Sequence, residues 1–141
     1  MRIAAPIDSL EEVDPVVDAG ADELFVGVQD EASARLLADS PNRRYGHASL
    51  RSFEALAEVV RRAHARHVEV RLAVNNLCYD AGGWRVVEHQ LSEGVRAGVD
   101  AFILADPGAI ALARGLAGGR PLHASTVGLC HNDHEIGRAH V

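Results

Sequence analysis

Two segments of the chain end in polar side chains of types that can act on carbonyl groups. His123 and Ser125 alternate with apolar residues in PLHAST, and Asn75 directly follows VEVRLAV. Histidine exchanges a proton near neutral pH or acts as a ligand, and an amide can orient a carbonyl. We therefore predict that His123 and Asn75 are catalytic and that Ser125 contacts substrate. The alternatives are a histidine hydrogen-bonded to a neighbouring strand and an asparagine that caps a loop.

Asp106 and the adjacent pair Arg43 and Arg44 are further candidates. Asp106 opens Asp-Pro-Gly after a predicted strand, where it can serve in catalysis or cap the next helix. The two arginines lie in the polar stretch SPNRRYGH, where they suit bidentate binding of a carboxylate or phosphate, or are two solvated charges. We predict catalysis for Asp106 and substrate binding for the arginines. No acidic partner for a catalytic triad is identified.

The cysteines and histidines do not predict a metal site. Cys130, His131 and His134 are close in sequence, but they are too few for a structural zinc site. Cys78 has no partner at CxxC spacing, so we expect a small buried hydrophobe there.

A repeated order of elements must position these residues. Segments starting at 18, 65 and 96 each contain a helix end, a small turn and a buried strand. Gly20 and Gly98 occupy the turn where a helix C-cap needs positive φ, and His67 takes that place in the middle copy. Strands are predicted at 2–6, 23–28, 68–74, 100–105 and 121–126. Amphipathic helices are predicted after Ser9, from Phe53, over 84–95 and over 110–116, and the polar stretch 29–50 is predicted to be a loop.

Alternation along the strands predicts which side chains face inward. In the third strand the apolar set should face the helices, which turns Glu69, Arg71, Ala73 and then Asn75 toward the interior. Glu69 and Arg71 are expected to form an ion pair there. By the same rule Leu122 and Ala124 face helices, and His123 and Ser125 face inward.

Strands that alternate with helices predict an α/β fold with a parallel sheet. Four βα units and a fifth strand fit the first half of a TIM-like (β/α) barrel, truncated after the fifth strand, because a whole barrel needs about 250 residues. A complete flavodoxin-like sheet is the competing architecture. A half barrel leaves its first and fifth strands unpaired, so self-association through the sheet edges is expected.

The end of the chain breaks away from this pattern. EIGRAHV has no apolar periodicity, and one set of codons for it matches a common short-read sequencing adapter. We expect 1–134 to be the N-terminal part of a barrel domain, 135–141 to be a non-native tail, and the natural protein to continue past His134.

Composition limits the classes of function. The 141 residues are 48% hydrophobic and 24% charged, as in soluble globular proteins, and the net charge of -6 argues against a DNA-binding surface. The apolar runs are too short to span a membrane, and the N-terminus turns acidic too early for a secretory signal. Two cysteines make no disulfide framework, so a reducing cytoplasm is the expected compartment.

The ordered set AAP, AGADEL, VNNL, ADPG and PLHAST, found between residues 2 and 132, resembles the collagenase-like peptidase family, peptidase U-32. The resemblance implies a barrel enzyme that acts as a peptidase, or as an iron–sulfur-dependent, oxygen-independent hydroxylase of RNA or a quinone precursor. Its cluster cysteines would lie beyond this chain, so the cofactor is left open. The substrate would be a small molecule, a peptide or RNA.

Two other functions stay open from the residues alone. A barrel enzyme for a phosphorylated metabolite would need a glycine-rich phosphate loop after its seventh strand. A small α/β binding protein without catalytic activity would use the 29–50 loop to hold a partner.

Overall fold

The computed structural model describes residues 2–36, 49–76, 79 and 82–128. Arg43, Arg44, both cysteines and the 135–141 tail lie outside these residues. The strands are β1 (Ala4–Pro6), β2 (Glu23–Val26), β3 (Glu69–Val74), β4 (Ala101–Leu104) and β5 (Leu122–Ala124). The helices are α1 (Val13–Asp18), α2 (Glu31–Leu36), α3 (Phe53–His64), α4 (Gly83–Ala97) and α5 (Pro107–Leu116), and short 3₁₀ turns cover Leu10–Glu12 and Thr126–Gly128.

The five strands form one parallel sheet in the order β1-β2-β3-β4-β5. A doubly wound flavodoxin-like sheet reverses its strand order at a switch point, and this sheet does not. Sequential parallel order with helical crossovers is the arrangement of a (β/α) barrel, so the described residues form part of such a barrel. Among them β1 and β5 each pair on one side only, and self-association through these edges stays a prediction.

The hydrophobic core lies between one face of the sheet and the helices. Val70, Leu72 and Val74 are buried there, as the alternation predicts, against apolar side chains of α3 and α4. Gly94 lets α4 approach the sheet closely, because a Cβ there would lie 2.7 Å from Cε1 of Phe102 and 2.8 Å from Cδ2 of Leu72. The opposite face of the sheet is therefore the one that carries the inward residues.

Three turns hold the left-handed conformation that the repeated segments predict. Gly20, His67 and Gly98 have φ values of 99°, 59° and 87°. In each case a helix ends and the chain reverses into the next strand. Glycine adopts this conformation without strain, and the histidine takes it in the middle copy.

The connection between β2 and α3 differs from the prediction of a loop. It contains the six-residue helix α2, and Val28 forms a parallel bridge with Leu50 at the two ends of the connection. Asp30 starts α2, because its side chain accepts the Ser33 backbone N–H at 2.9 Å. A short helix has little intrinsic stability, so contacts with α4, described below, hold this one.

Candidate inward-facing polar site

The strand register sorts the inward side chains into layers across the sheet. Ile103 pairs with Ala73 on one side and with His123 on the other, so these three form one layer. Asn75 and Ser125 follow β3 and β5 one layer nearer the carboxyl ends of the strands. In barrel enzymes the chemistry takes place at those ends.

His123 is half-buried on this face. Burial, and after it the nearby Arg71 cation, hold the pKa of His123 below its ordinary value, while Glu23 and Glu69 act in the opposite direction. The net effect favours a neutral imidazole at neutral pH. A neutral ring can accept a proton, which a protonated one cannot.

Asn75 and His123 do not follow or lie on neighbouring strands, because β4 lies between β3 and β5. Two strand spacings across the sheet and one two-residue layer along the strands place their backbones about 12 Å apart. Asn75 is half-buried and the next residue, Asn76, is 4% exposed. The two candidates thus lie on either side of β4.

Ser125 is buried at the carboxyl end of β5, and its hydrogen bonds are local. Its backbone N–H donates to the Leu104 carbonyl at 2.7 Å, and its Oγ accepts the Val127 N–H at 3.4 Å. These bonds start the 3₁₀ turn after β5. Substrate contact by Ser125 stays a prediction.

Asp106 caps α5. Its Oδ1 accepts the Ala109 N–H at 2.8 Å, and Pro107 occupies the first helical position. This role alone accounts for an aspartate at the position, and no described contact joins it to His123 or Asn75. Arg43 and Arg44, which are predicted to bind substrate, lie outside the described residues.

A charged cluster deeper in the same face contains the predicted pair Glu69 and Arg71, together with two residues that the sequence reasoning missed. Arg71 Nη2 lies 2.5 Å from Glu23 Oε2 but 3.9 Å from Glu69 Oε2, so Glu23 is its main partner. Arg2 joins the cluster through Nε to Glu23 and Nη2 to Glu69, each at 2.9 Å. Alternation in ELFV, where Leu24 and Val26 face the core, was the signal that could have found Glu23.

A second polar cluster lies on the helical side, between α2 and α4. Asp30 accepts from Nε2 of His89 at 2.9 Å, and Gln90 Nε2 donates to the Val28 carbonyl at 3.1 Å and to Ser33 Oγ at 3.4 Å. Burial alone would raise the pKa of Asp30, but hydrogen bonds from Ser33 and His89 outweigh it and lower that pKa. The cluster fixes α2 on α4, which makes it structural.

The described residues offer no metal site and no membrane span. Within residues 2–36, 49–76, 79 and 82–128, no three side chains of His, Cys, Asp or Glu come together in a way that could hold a metal ion. Over the same ranges no helix has the length and apolar character needed to cross a bilayer.

The sheet order and the polar layer at the carboxyl ends of the strands place the chain among (β/α) barrel proteins. The sequence pattern of peptidase family U32 matches residues 8–139, and the chain belongs to that family. No curated protein matches the chain significantly.

Solved structures show the same fold. The U32 peptidase Mk0906 superposes with a TM-score of 0.67 at 15% identity, over 96% of this chain and 52% of its own. The GH113 β-mannanase AaManA from Alicyclobacillus acidocaldarius gives 0.54 at 12% identity, over 87% and 53%. An α-amylase from Lactobacillus plantarum gives 0.54 at 12% identity, over 98% and 50%. The chain thus spans about half the length of each of these proteins.

Proposed function

We propose that this chain is the N-terminal part of a peptidase family U32 barrel that hydrolyses peptide bonds, with His123 as the general base. The observation that carries the proposal is the inward, half-buried His123, whose pKa is lowered by burial and by Arg71. Membership of the family, and a fold shared with a protein described as a U32 peptidase, support the choice of a peptide bond. Two cysteines make no disulfide framework, so the proposed setting is the reducing cytoplasm.

The separation of His123 and Asn75 suits a water molecule and a carbonyl group placed between them. A hydrogen bond from water to the ring nitrogen, the approach of that water to the carbonyl carbon, the C=O bond and a hydrogen bond from an amide together span about 10 Å, less than the roughly 12 Å between the two backbones. His123 would take the proton of the attacking water and return it to the amine nitrogen as the C–N bond breaks. The Asn75 amide would hold the carbonyl oxygen while it is negative. Ser125 would lie beside the substrate at the carboxyl ends of the strands.

The charges on the described inward face favour an uncharged substrate group. Arg2 and Arg71 are matched by Glu23 and Glu69, and His123 is held in its neutral form. The face therefore has no excess positive charge with which to hold an anion. A peptide carbonyl fits this balance, and any charged end of the substrate would depend on Arg43 and Arg44.

The described residues do not supply ligands for an iron–sulfur cluster. No group of three His, Cys, Asp or Glu side chains among them converges on a metal position. The proposed hydrolysis uses only a water molecule and the residues named above.

The test is the product formed by the full-length protein. Incubation with a peptide library should yield pairs of fragments whose masses add up to one peptide plus one water. Cleavage should fall when His123 is replaced by Asn. Uncleaved peptides, together with RNA or a quinone precursor that gains one oxygen atom, would refute the peptidase proposal in favour of hydroxylation.

A further inference from the structure

Tyr79 and Trp84 form an aromatic pair where the chain passes from β3 into α4. Their ring centroids lie 5.5 Å apart, and the ring planes make an angle of 44°. The chain has three phenylalanines, two tyrosines and one tryptophan, so its single tryptophan and one of its two tyrosines meet at this place. The separation is that of two rings in direct contact.

Contacts on two sides place this pair at the carboxyl ends of β3 and β4. The Tyr79 hydroxyl donates to the carbonyl of Val74 at 3.5 Å, and Val74 directly precedes Asn75. The Trp84 ring lies against the first turn of α5, the helix that follows β4, because a Cβ on Gly108 would be 2.6 Å from Cη2 of Trp84. The pair therefore adjoins the candidate residue Asn75, at the end of the barrel where chemistry takes place.

Both rings are half-buried. Each packs against the hydrophobic core with part of its surface and leaves the rest exposed. Phe53 and Phe102, by contrast, lie in the core and are 8% and 0% exposed. Apolar and aromatic side chains that stay partly open beside a few polar groups are typical of ligand pockets. Because the two rings bear no formal charge, they suit an apolar group of the ligand.

We propose that Tyr79 and Trp84 form the wall of a subsite for an apolar side chain of the peptide, on the residue that contributes the cleaved carbonyl group. The inference rests on the proposed function, since it needs a peptide whose carbonyl oxygen is held by Asn75. That side chain branches from the atom next to the carbonyl carbon, so it lies close to Asn75, where the rings begin. The two aromatic residues then decide which peptides are cleaved and take no part in the chemistry.

Cleavage of a peptide series by the full-length protein tests the subsite. The series places alanine, leucine, phenylalanine or lysine before the cleaved bond, and the measured quantity is the ratio of kcat/KM for leucine or phenylalanine to that for alanine. An apolar pocket raises such a ratio about 10-fold or more. Loss of folded protein leaves the ratio unchanged, so a merely structural role of the rings would not alter it. Trp84→Ala should bring the ratio close to one, and Trp84→Phe should keep most of it.

Gly108→Ala moves the Trp84 ring without removing it. Alanine suits a helix better than glycine, so this variant should fold even if Trp84→Ala does not. Its Cβ would lie 2.6 Å from the indole, which must shift, and the ratio should therefore fall. The same Cβ would lie 3.0 Å from Oδ1 of Asp106, and Asp106→Asn shows whether that residue affects the ratio. Gly115→Ala is the matched control, because its Cβ meets nothing within 4 Å and should leave the ratio unchanged.

A binding measurement distinguishes failure of the subsite from failure of the proposed function. In full-length protein labelled with fluorotryptophan, the Trp84→Phe variant identifies the fluorine signal of Trp84. Titration with N-acetyl-leucinamide should shift this signal in a saturable way, and N-acetyl-alaninamide should shift it far less. Such a selective shift without any peptide cleavage would refute the proposed function and support the subsite. An unmoved signal, an unchanged ratio in folded Trp84→Ala and Gly108→Ala, or a preference for lysine would overturn the subsite.

Discussion

Replacement of Asp106 separates its capping role from the catalytic role predicted from the sequence. Asp106→Ala removes the 2.8 Å bond to the Ala109 N–H at the start of α5. Loss of an N-cap costs about 1 kcal/mol, within a range of about 0.5–2. Loss of a negative charge at the helix N-terminus adds about 0.3–1 kcal/mol. The sum is a destabilisation of roughly 1–2 kcal/mol.

Asp106→Asn is the matched control, because asparagine caps about as well as aspartate. It loses only the charge and should cost less than about 1 kcal/mol. Urea unfolding followed by the fluorescence of Trp84 suits both variants, since Trp84 is the chain's single tryptophan and its ring lies against Gly108 in the first turn of α5. If the proposed peptide hydrolysis is measured, turnover of full-length Asp106→Asn should match that of the wild type.

Two results would refute the capping account. If Asp106→Asn is as unstable as Asp106→Ala, the hydrogen bond to Ala109 is not what the side chain contributes. If Asp106→Asn keeps its stability but loses turnover by about 10²-fold, the scale of a positioned acid–base group, Asp106 is catalytic after all.

Three further predictions concern stability. Gly94→Ala should destabilise the fold by about 1 kcal/mol, because a Cβ 2.7 Å from Phe102 overpacks the core and this cost exceeds the gain in helix propensity. Gly115→Ala is the matched control: its Cβ meets nothing within 4 Å, so it should stabilise the fold by about 0.5 kcal/mol. Urea unfolding measures both. Because the pKa of Asp30 is lowered in the folded protein, ionised Asp30 contributes stability that is fully present above its ordinary pKa of 3.8 and is lost as pH falls through the folded value. The free energy of unfolding should therefore fall less steeply below about pH 4 in Asp30→Asn than in the wild type. Equal slopes would show that the Asp30 cluster does not stabilise the fold. Deletion of 136–141 should change the free energy of unfolding by less than about 0.5 kcal/mol, and a loss above about 1 kcal/mol would show that the tail packs.

The sequence predicted most of the framework because the strands obey a strict alternation. Apolar residues at every second position of VEVRLAV decided that Asn75 follows on the inward face, and the structure has that parity. The same rule placed His123 inward. Ala124 was expected to face a helix but is exposed among the described residues.

Other features depend on contacts that no local pattern contains. Helix α2 has six residues, and side chains of α4, more than fifty residues away, hold it, so its own sequence predicted only a polar loop. Arg71 was paired with Glu69, its neighbour two residues away, but its main partner is Glu23. That choice depends on the β2–β3 register, which sequence spacing does not give.

The measurement that tests the central claim most directly is the kcat/KM of full-length His123→Asn for a cleaved peptide, corrected for the folded fraction. The matched control is Leu122→Ala, one residue away on the opposite face, where the side chain packs partly against the core. Because Leu122 is only half-buried, this control should lose less than about 2 kcal/mol of stability and keep its turnover per folded molecule. Proton acceptance by His123 predicts a loss of about 10²-fold or more in His123→Asn. Full turnover in folded His123→Asn, or a loss no greater than its loss of folded protein, would contradict the account.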